Sequence, residues 1–120
     1  MNILSKKKIR TLSKKDEIKQ VLDKGKKVYF RFGLIFLFNE ENQNHLRVGI
    51  LVKKSCGNAV KRNYIKRICR AFVRNYSYLF KNTNRVIFLF NKNCQIKYKD
   101  LEKEIFRFLE KNEKNIFADH

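Results

Sequence analysis

The sequence predicts a single α+β domain built in two layers, with three helices packed on a sheet of about four strands in the order α-β-β-β-α-β-α. Three observations predict it. A chain of 120 residues can bury one core but not two. Its apolar share of 43%, with 11 Phe and 5 Tyr, is that of a folding chain and too high for a disordered basic tail. Finally, β-branched and aromatic runs alternate with stretches of helical period, with no proline, low-complexity linker or repeat to separate domains.

The domain spans residues 1–120, of which 1–10 read as a flexible basic tail. Ser13 with Asp16 three positions later resembles a capping box, and Ile18, Val21 and Leu22 then share one face, giving a first short helix that Gly25 ends. From Lys27 to Asn39 the β-branched and aromatic content rises, which predicts one long strand or two consecutive ones with Gly33 as a bulge or break. The EENQNH stretch that follows is a turn. Leu46 to Val52 reads as the next strand, and Arg85 to Phe90 as one buried on both faces. Between them, residues from about Asn58 to Tyr76 carry no helix breaker. A last helix from about Tyr98 to Asn112 places Leu101, Ile105, Phe108 and Leu109 on one stripe.

Against this ordinary core stands an excess of 29 Lys plus Arg over 11 Asp plus Glu, a formal charge of +18 and a pI near 10.1. Repulsion at that density opposes a compact state unless a polyanion neutralises it, so nucleic acid or an anionic membrane surface is the expected partner. The longest apolar runs, Phe32 to Phe38 and Val86 to Phe90, fall far short of the roughly 20 residues of a membrane-spanning helix. The basic N-terminus is followed by no apolar segment of a secretory signal, and residence in the cytoplasm is expected. Cys56, Cys69 and Cys94 form no C-x-x-C pair; they read as small buried apolar residues rather than metal or redox groups.

Winding residues 60 to 76 at about 100° per residue gathers Arg62, Asn63, Lys66, Arg67, Arg70 and Arg74 into an arc of roughly 140°. The opposite arc holds Tyr64, Ile65, Ile68, Cys69, Phe72 and Tyr76, with the long stem of Lys61 among them. A merely solvated face is the alternative, but such faces mix signs for i,i+4 pairing, whereas this one contains no carboxylate. Stacked cations repel unless an anion lies above them, and phosphate fits the guanidinium fork. Asn63 adds a donor and an acceptor for sugars or base edges. Lys53, Lys54, Gly57 and Asn58 extend the patch to the helix start, where backbone N–H groups also favour anions.

The run RVGILVKKSCGNAVKRNYIKRICRAFVRN, Arg47 to Asn75, resembles the pattern of the bacterial ribonuclease P protein component, and GNAV-x-RN-x-x-KR-x-x-R is its diagnostic part. The resemblance extends more loosely over the rest of the chain: a basic N-terminal segment, a short helix ending in Gly25, aromatic strands and a closing helix after TNRVIFLF. It implies a left-handed strand-helix-strand crossover, against the right-handed form that sequence alone favours. It also implies that Arg62, Asn63, Lys66, Arg67 and Arg70 face a catalytic RNA, with Lys53 and Lys54 beside them. A cleft between the first helix and the sheet is implied to take the single-stranded 5′ leader of precursor tRNA, with Ile18, Leu22 and Phe36 at its lining positions. Phe30, Phe32, Phe36 and Phe38 can face either way, and core packing is the expected fate of most of them. The chain departs from the pattern at Tyr64, where a third basic residue is usual; in the displaced lysine pair Lys53, Lys54 before Ser55; and in having Ile18 and Leu22 where aromatics stand. On the helical wheel Tyr64 falls on the buried face, so its effect is expected on packing.

The only histidines are His45 in a turn and His120 at the end, and no Ser, Cys or carboxylate cluster suggests a catalytic centre. The resemblance implies that the RNA subunit, with Mg²⁺ bound mainly by that RNA and no organic cofactor, performs the endonucleolytic cut while the protein orients the leader. A ribosomal or other structural RNA-binding protein is the competing reading, to be separated by the RNA that copurifies. A nucleoid-type DNA binder would show a helix-turn-helix or a dimerising heptad. A membrane-surface module would need bulky apolar residues flanking the basic face, and the core needs those residues here.

Overall fold

The computed structural model describes residues 9–80 and 83–111, with side chains through Arg107. In chain order the elements are β1 (Ile9–Thr11), α1 (Lys15–Lys24), β2 (Lys26–Phe30), β3 (Gly33–Phe38), β4 (Leu46–Val52), α2 (Ala59–Tyr76), β5 (Arg85–Phe90) and α3 (Tyr98–Lys111). The strands form one sheet in the order β1-β4-β5-β3-β2. β1 and β5 run parallel to β4, and β3 runs antiparallel to β5 and β2.

Strand alternation divides the apolar residues between two faces. Ile35 and Leu37 of β3, with Val86, Phe88 and Phe90 of β5, meet Ile65, Ile68 and Phe72 of α2 and Leu101 and Ile105 of α3 in the main core. Phe36 and Ile87, one residue out of step with these, meet Val21 of α1 and Leu12, which follows β1, in a smaller core on the opposite face. The expected single α+β domain with three helices is therefore present, with two differences. The sheet has five strands, and α1 adds a partial third layer where two were expected.

The fifth strand, β1, lies partly within the segment read as a tail, whose residues 1–8 lie outside the described residues. It is extended because Ile9, Arg10 and Thr11 pair with Leu46, Arg47 and Val48, and the Leu12 N–H continues to the Val48 carbonyl at 2.9 Å. That pairing draws Leu12 into the smaller core and delays the helix, so Lys14 rather than Ser13 is the N-cap of α1 and no side chain caps it. Gly25 does end α1, but in extended backbone: a Cβ there would meet the Val21 carbonyl oxygen at 2.5 Å and that of Leu37 at 3.1 Å. Gly33 opens β3 directly after the Arg31–Phe32 turn, as the break between two strands. Cys56 and Cys69 are fully buried, and Cys94 is half-buried against the main core.

α1 is anchored by charge as well as by Val21. Arg85 of β5 is only 3% exposed, and it meets Glu17 of α1 at 3.6 Å while donating to the carbonyls of Asn84 at 2.8 Å and His45 at 3.3 Å. Burial lowers the affinity of this guanidinium for its proton, and the Glu17 carboxylate opposes that. Sequence reading placed Arg85 only as a strand start; no periodicity reveals a cation held under a helix.

On the other face the Tyr76 hydroxyl donates to Glu102 Oε2 at 2.8 Å, tying α2 to α3. That hydrogen bond, then desolvation and the Glu102 charge, push the phenol up to about 12 from its ordinary 10. A raised folded-state value contributes stability that is complete below the unfolded value and lost as pH climbs through the folded one. The stability difference between the wild type and Tyr76→Phe is therefore expected to be flat up to about pH 10 and to shrink between about 10 and 12. Denaturant melts of both proteins across that range measure it, and a difference that is constant throughout would contradict the assignment.

Candidate nucleic-acid interface

α2 begins where the sequence supplies a cap: Asn58 is extended, and its Oδ1 accepts the Lys61 N–H at 2.9 Å, a contact that typically contributes about 1 kcal/mol. From there the helix buries Ile65, Ile68, Cys69, Phe72 and Val73 and turns its other side outward. Asn63, Arg67, Arg70 and Arg74 are exposed on that side, and Arg62 and Lys66 are half-buried at its border. Lys53, Lys54 and Asn58 are exposed at the adjoining strand end and turn. All nine residues expected to meet RNA thus stand along one continuous segment that reaches solvent.

Among the described residues nothing acidic neutralises them. The first turn of α2 holds no carboxylate. Among the described residues the ion pairs are Lys19–Asp23, Arg85–Glu17 and Arg107–Glu104, none of which uses a cation of this face. Arg62 donates Nη1 to the Gly57 carbonyl at 2.8 Å, which fixes its guanidinium over the helix start. Lys61 carries its ammonium out to Asn93 Oδ1 at 2.9 Å, as its long stem allows. Like charges spaced i,i+4 with no counter-charge destabilise a free helix by a few tenths of a kcal/mol per pair, so an arrangement of this kind fits an external anion.

Tyr64 is placed differently from the wheel's expectation. It is 37% exposed, and the Arg67 guanidinium carbon lies 5.8 Å from its ring centroid. The residue sits at the edge between the two arcs, and so it borders the cationic face with a ring that can meet a base. Beside the arc, a groove of about 360 Å³ runs between α2 and the sheet edge, with Arg10, Lys66, Arg70 and Arg74 among the residues that line it.

The second expected site lies on the other face of the sheet. Ile18 and Leu22 are half-buried on α1, next to the smaller core. Phe36 belongs to that core at 5% exposure, so it lies beneath the expected cleft position rather than at a lining one. Leu34, Leu51 and Leu89 border the same core half-buried, and sequence reading did not single them out. Their period-2 spacing with Phe36 and Ile87 was legible, but not which face α1 leaves open. Among the described residues no three His, Cys, Asp or Glu side chains are grouped as metal ligands, and no helix is long and apolar enough to cross a membrane.

Comparison with known proteins gives a consistent result. Residues 6–113 match the family model described as Ribonuclease P. The ribonuclease P protein component of Fusobacterium nucleatum is 34% identical over 113 residues, covering 90% of this chain and 100% of that protein. That of Bacillus cereus is 29% identical over 107 residues, covering 88% and 93%. In fold, the chain superposes on the RNase P protein of Staphylococcus aureus with a TM-score of 0.75 at 23% identity, covering 90% of this chain and 97% of that one. The Thermotoga maritima RNase P protein gives 0.71 at 17% identity, with 85% and 96% covered.

Proposed function

The chain belongs to the ribonuclease P protein family, and from that premise we propose that it binds the catalytic RNA of ribonuclease P through α2 and holds the 5′ leader of precursor tRNA against the sheet beside α1. The observation that carries the reading is the outward cationic side of α2, which holds no carboxylate and, among the described residues, makes no ion pair. In this role Arg62, Lys66, Arg67, Arg70 and Arg74 place positive charge against phosphates, Lys53, Lys54 and Asn58 continue the contact across the preceding turn, and Asn63 supplies hydrogen bonds to sugars or base edges. Ile18 and Leu22, with Phe36 beneath, form one wall of the leader cleft. Mg²⁺, held mainly by the RNA, supplies the activation of water and the stabilisation of the leaving oxygen. The protein contributes position and charge screening: a held leader loses fewer wrong orientations, and screened phosphates let metal and substrate bind more tightly. No residue of the chain is assigned a catalytic role.

The test is reconstitution with a bacterial ribonuclease P RNA, following removal of the leader at low and high Mg²⁺. Wild-type protein is expected to restore cleavage at Mg²⁺ concentrations where the RNA alone is inactive. Arg62→Ala is expected to raise the Mg²⁺ needed while leaving the rate at saturating Mg²⁺ nearly unchanged. Cleavage that is indifferent to the protein at every Mg²⁺ concentration would refute the reading.

A further inference from the structure

The register of the sheet sets four side chains directly opposite one another: Tyr29 faces Leu34, Leu34 faces Leu89, and Leu89 faces Leu51. The neighbouring row runs Lys27, Phe36, Ile87, Gly49. α1 covers that second row, since Phe36 and Ile87 are buried with Leu12 and Val21. It leaves the first row open: the three leucines are half-buried and Tyr29, at the β2 edge, is 68% exposed. Val28 and Phe30 on either side point into the main core, so alternation turns Tyr29 toward the face that carries α1. At about 4.8 Å per strand the row is about 14 Å long, with a phenol ring at its outer end.

A lone exposed aromatic needs no explanation, but this one has a setting. Lys27 lies two residues before it on the same strand face, and Arg31 two residues after it in the turn, both exposed. The Arg31 backbone N–H donates to Glu104 Oε2 at 2.9 Å, and its guanidinium carbon lies 5.4 Å from the centroid of the Phe32 ring. Of the three acidic residues on α1, Asp23 is paired with Lys19 and Glu17 with Arg85, while Asp16 is exposed in the first turn. A cation and a ring on one strand face, with a second cation in the adjoining turn, match a single-stranded polynucleotide, which presents a base between two phosphates and stacks without sequence preference. Pairing of β2 with another protein strand is opposed by adjacent Lys26 and Lys27 on the edge.

We propose that Tyr29 is a base-stacking platform at the rim of the leader cleft, engaging a nucleotide farther along the 5′ leader than those beside Ile18 and Leu22, with Lys27 and Arg31 meeting its flanking phosphates. The proposal rests on the leader-binding reading above and adds a station that lies beyond α1. It makes the energetic benefit of a leader depend on length, because only a strand that crosses the row reaches the ring.

The experiment uses the reconstituted holoenzyme and precursor tRNAs whose leaders are shortened one nucleotide at a time, with equilibrium binding as the readout. Tyr29→Ala is expected to weaken binding of the longest leaders by roughly 5- to 100-fold, to have no effect on the shortest, and to be rescued by Tyr29→Phe. Wild-type affinity that rises with leader length, matched at every length by Tyr29→Ala, would overturn this proposal alone. Wild-type affinity indifferent to leader length would overturn the leader-binding reading itself. A loss that is equal for all leaders, or a dimer seen by light scattering that Tyr29→Ala dissociates with no effect on leader binding, would assign the ring to another role and overturn the proposal.

Discussion

Alanine at both Arg67 and Arg70 is expected to weaken binding of the catalytic RNA by roughly 30- to 150-fold near 0.1 M salt while leaving the protein as stable as before or slightly more so. Both side chains are exposed, so each charge-assisted contact is taken at the low end, about 1–1.5 kcal/mol. The slope of log affinity against log salt, about −4 to −5 for some six phosphates, should flatten by roughly 1.4 to 1.8 as two contacts are lost. Stability moves the other way because Arg70 lies four residues from both Lys66 and Arg74, and removing it relieves two like-charge pairs. Loss of the Arg67–Tyr64 contact offsets part of that gain, by about 0.5 kcal/mol. Salt-dependent binding and a denaturant melt together decide the matter. An unchanged slope, or a large drop in stability, would mean that the face serves the fold rather than RNA.

Gly33→Ala is expected to be the most damaging single-methyl change in the sheet, at about 3 kcal/mol or more. Gly33 has φ of 153°, and a Cβ built there would sit 1.9 Å from the Leu89 carbonyl oxygen and 3.0 Å from its carbon. Those atoms are backbone of β5, the neighbour of both β3 and β4, so relief requires the centre of the sheet to part. The backbone conformation alone costs about 1–3 kcal/mol for a residue with a side chain, against a total stability of about 5–15 kcal/mol for a domain of this kind. Gly49→Ala is the control, since its nearest neighbour would be the Leu12 carbonyl oxygen at 3.3 Å and a small shift accommodates it. Denaturation midpoints of the two variants should differ clearly, and equal midpoints would show that β3 and β5 separate at little cost.

The parts of this structure legible in the sequence are those whose cause is local. α2 announced itself by an unbroken period, a capping Asn58 and a one-signed face, and it occupies Ala59–Tyr76 against an expected span of about 58 to 76. β4 and β5 occupy the residues their apolar runs marked. The missed features depend on partners distant in the chain. Ile9–Thr11 has no strand pattern of its own and is a strand only because β4 offers it an edge. Tyr64 lies where two helix faces meet, and the helical period alone does not set how much of it the sheet covers. Which of the β3 side chains would be covered was undecidable from alternation alone, because both faces of β3 are apolar and only the path of α1 separates buried Phe36 from half-buried Leu34.

α2 is also the link between β4 and β5, which lie side by side and parallel at the centre of the sheet. A ligand that clamps this helix therefore restrains two central strands at once, and its binding energy opposes global opening rather than local fraying. By mass action the protection grows with the logarithm of ligand excess, about 2.7 kcal/mol at a hundredfold over the dissociation constant. On the proposed reading, copies in surplus of RNA would forgo that protection and open more often, so added RNA is expected to raise the protein's resistance to a protease in proportion to its binding.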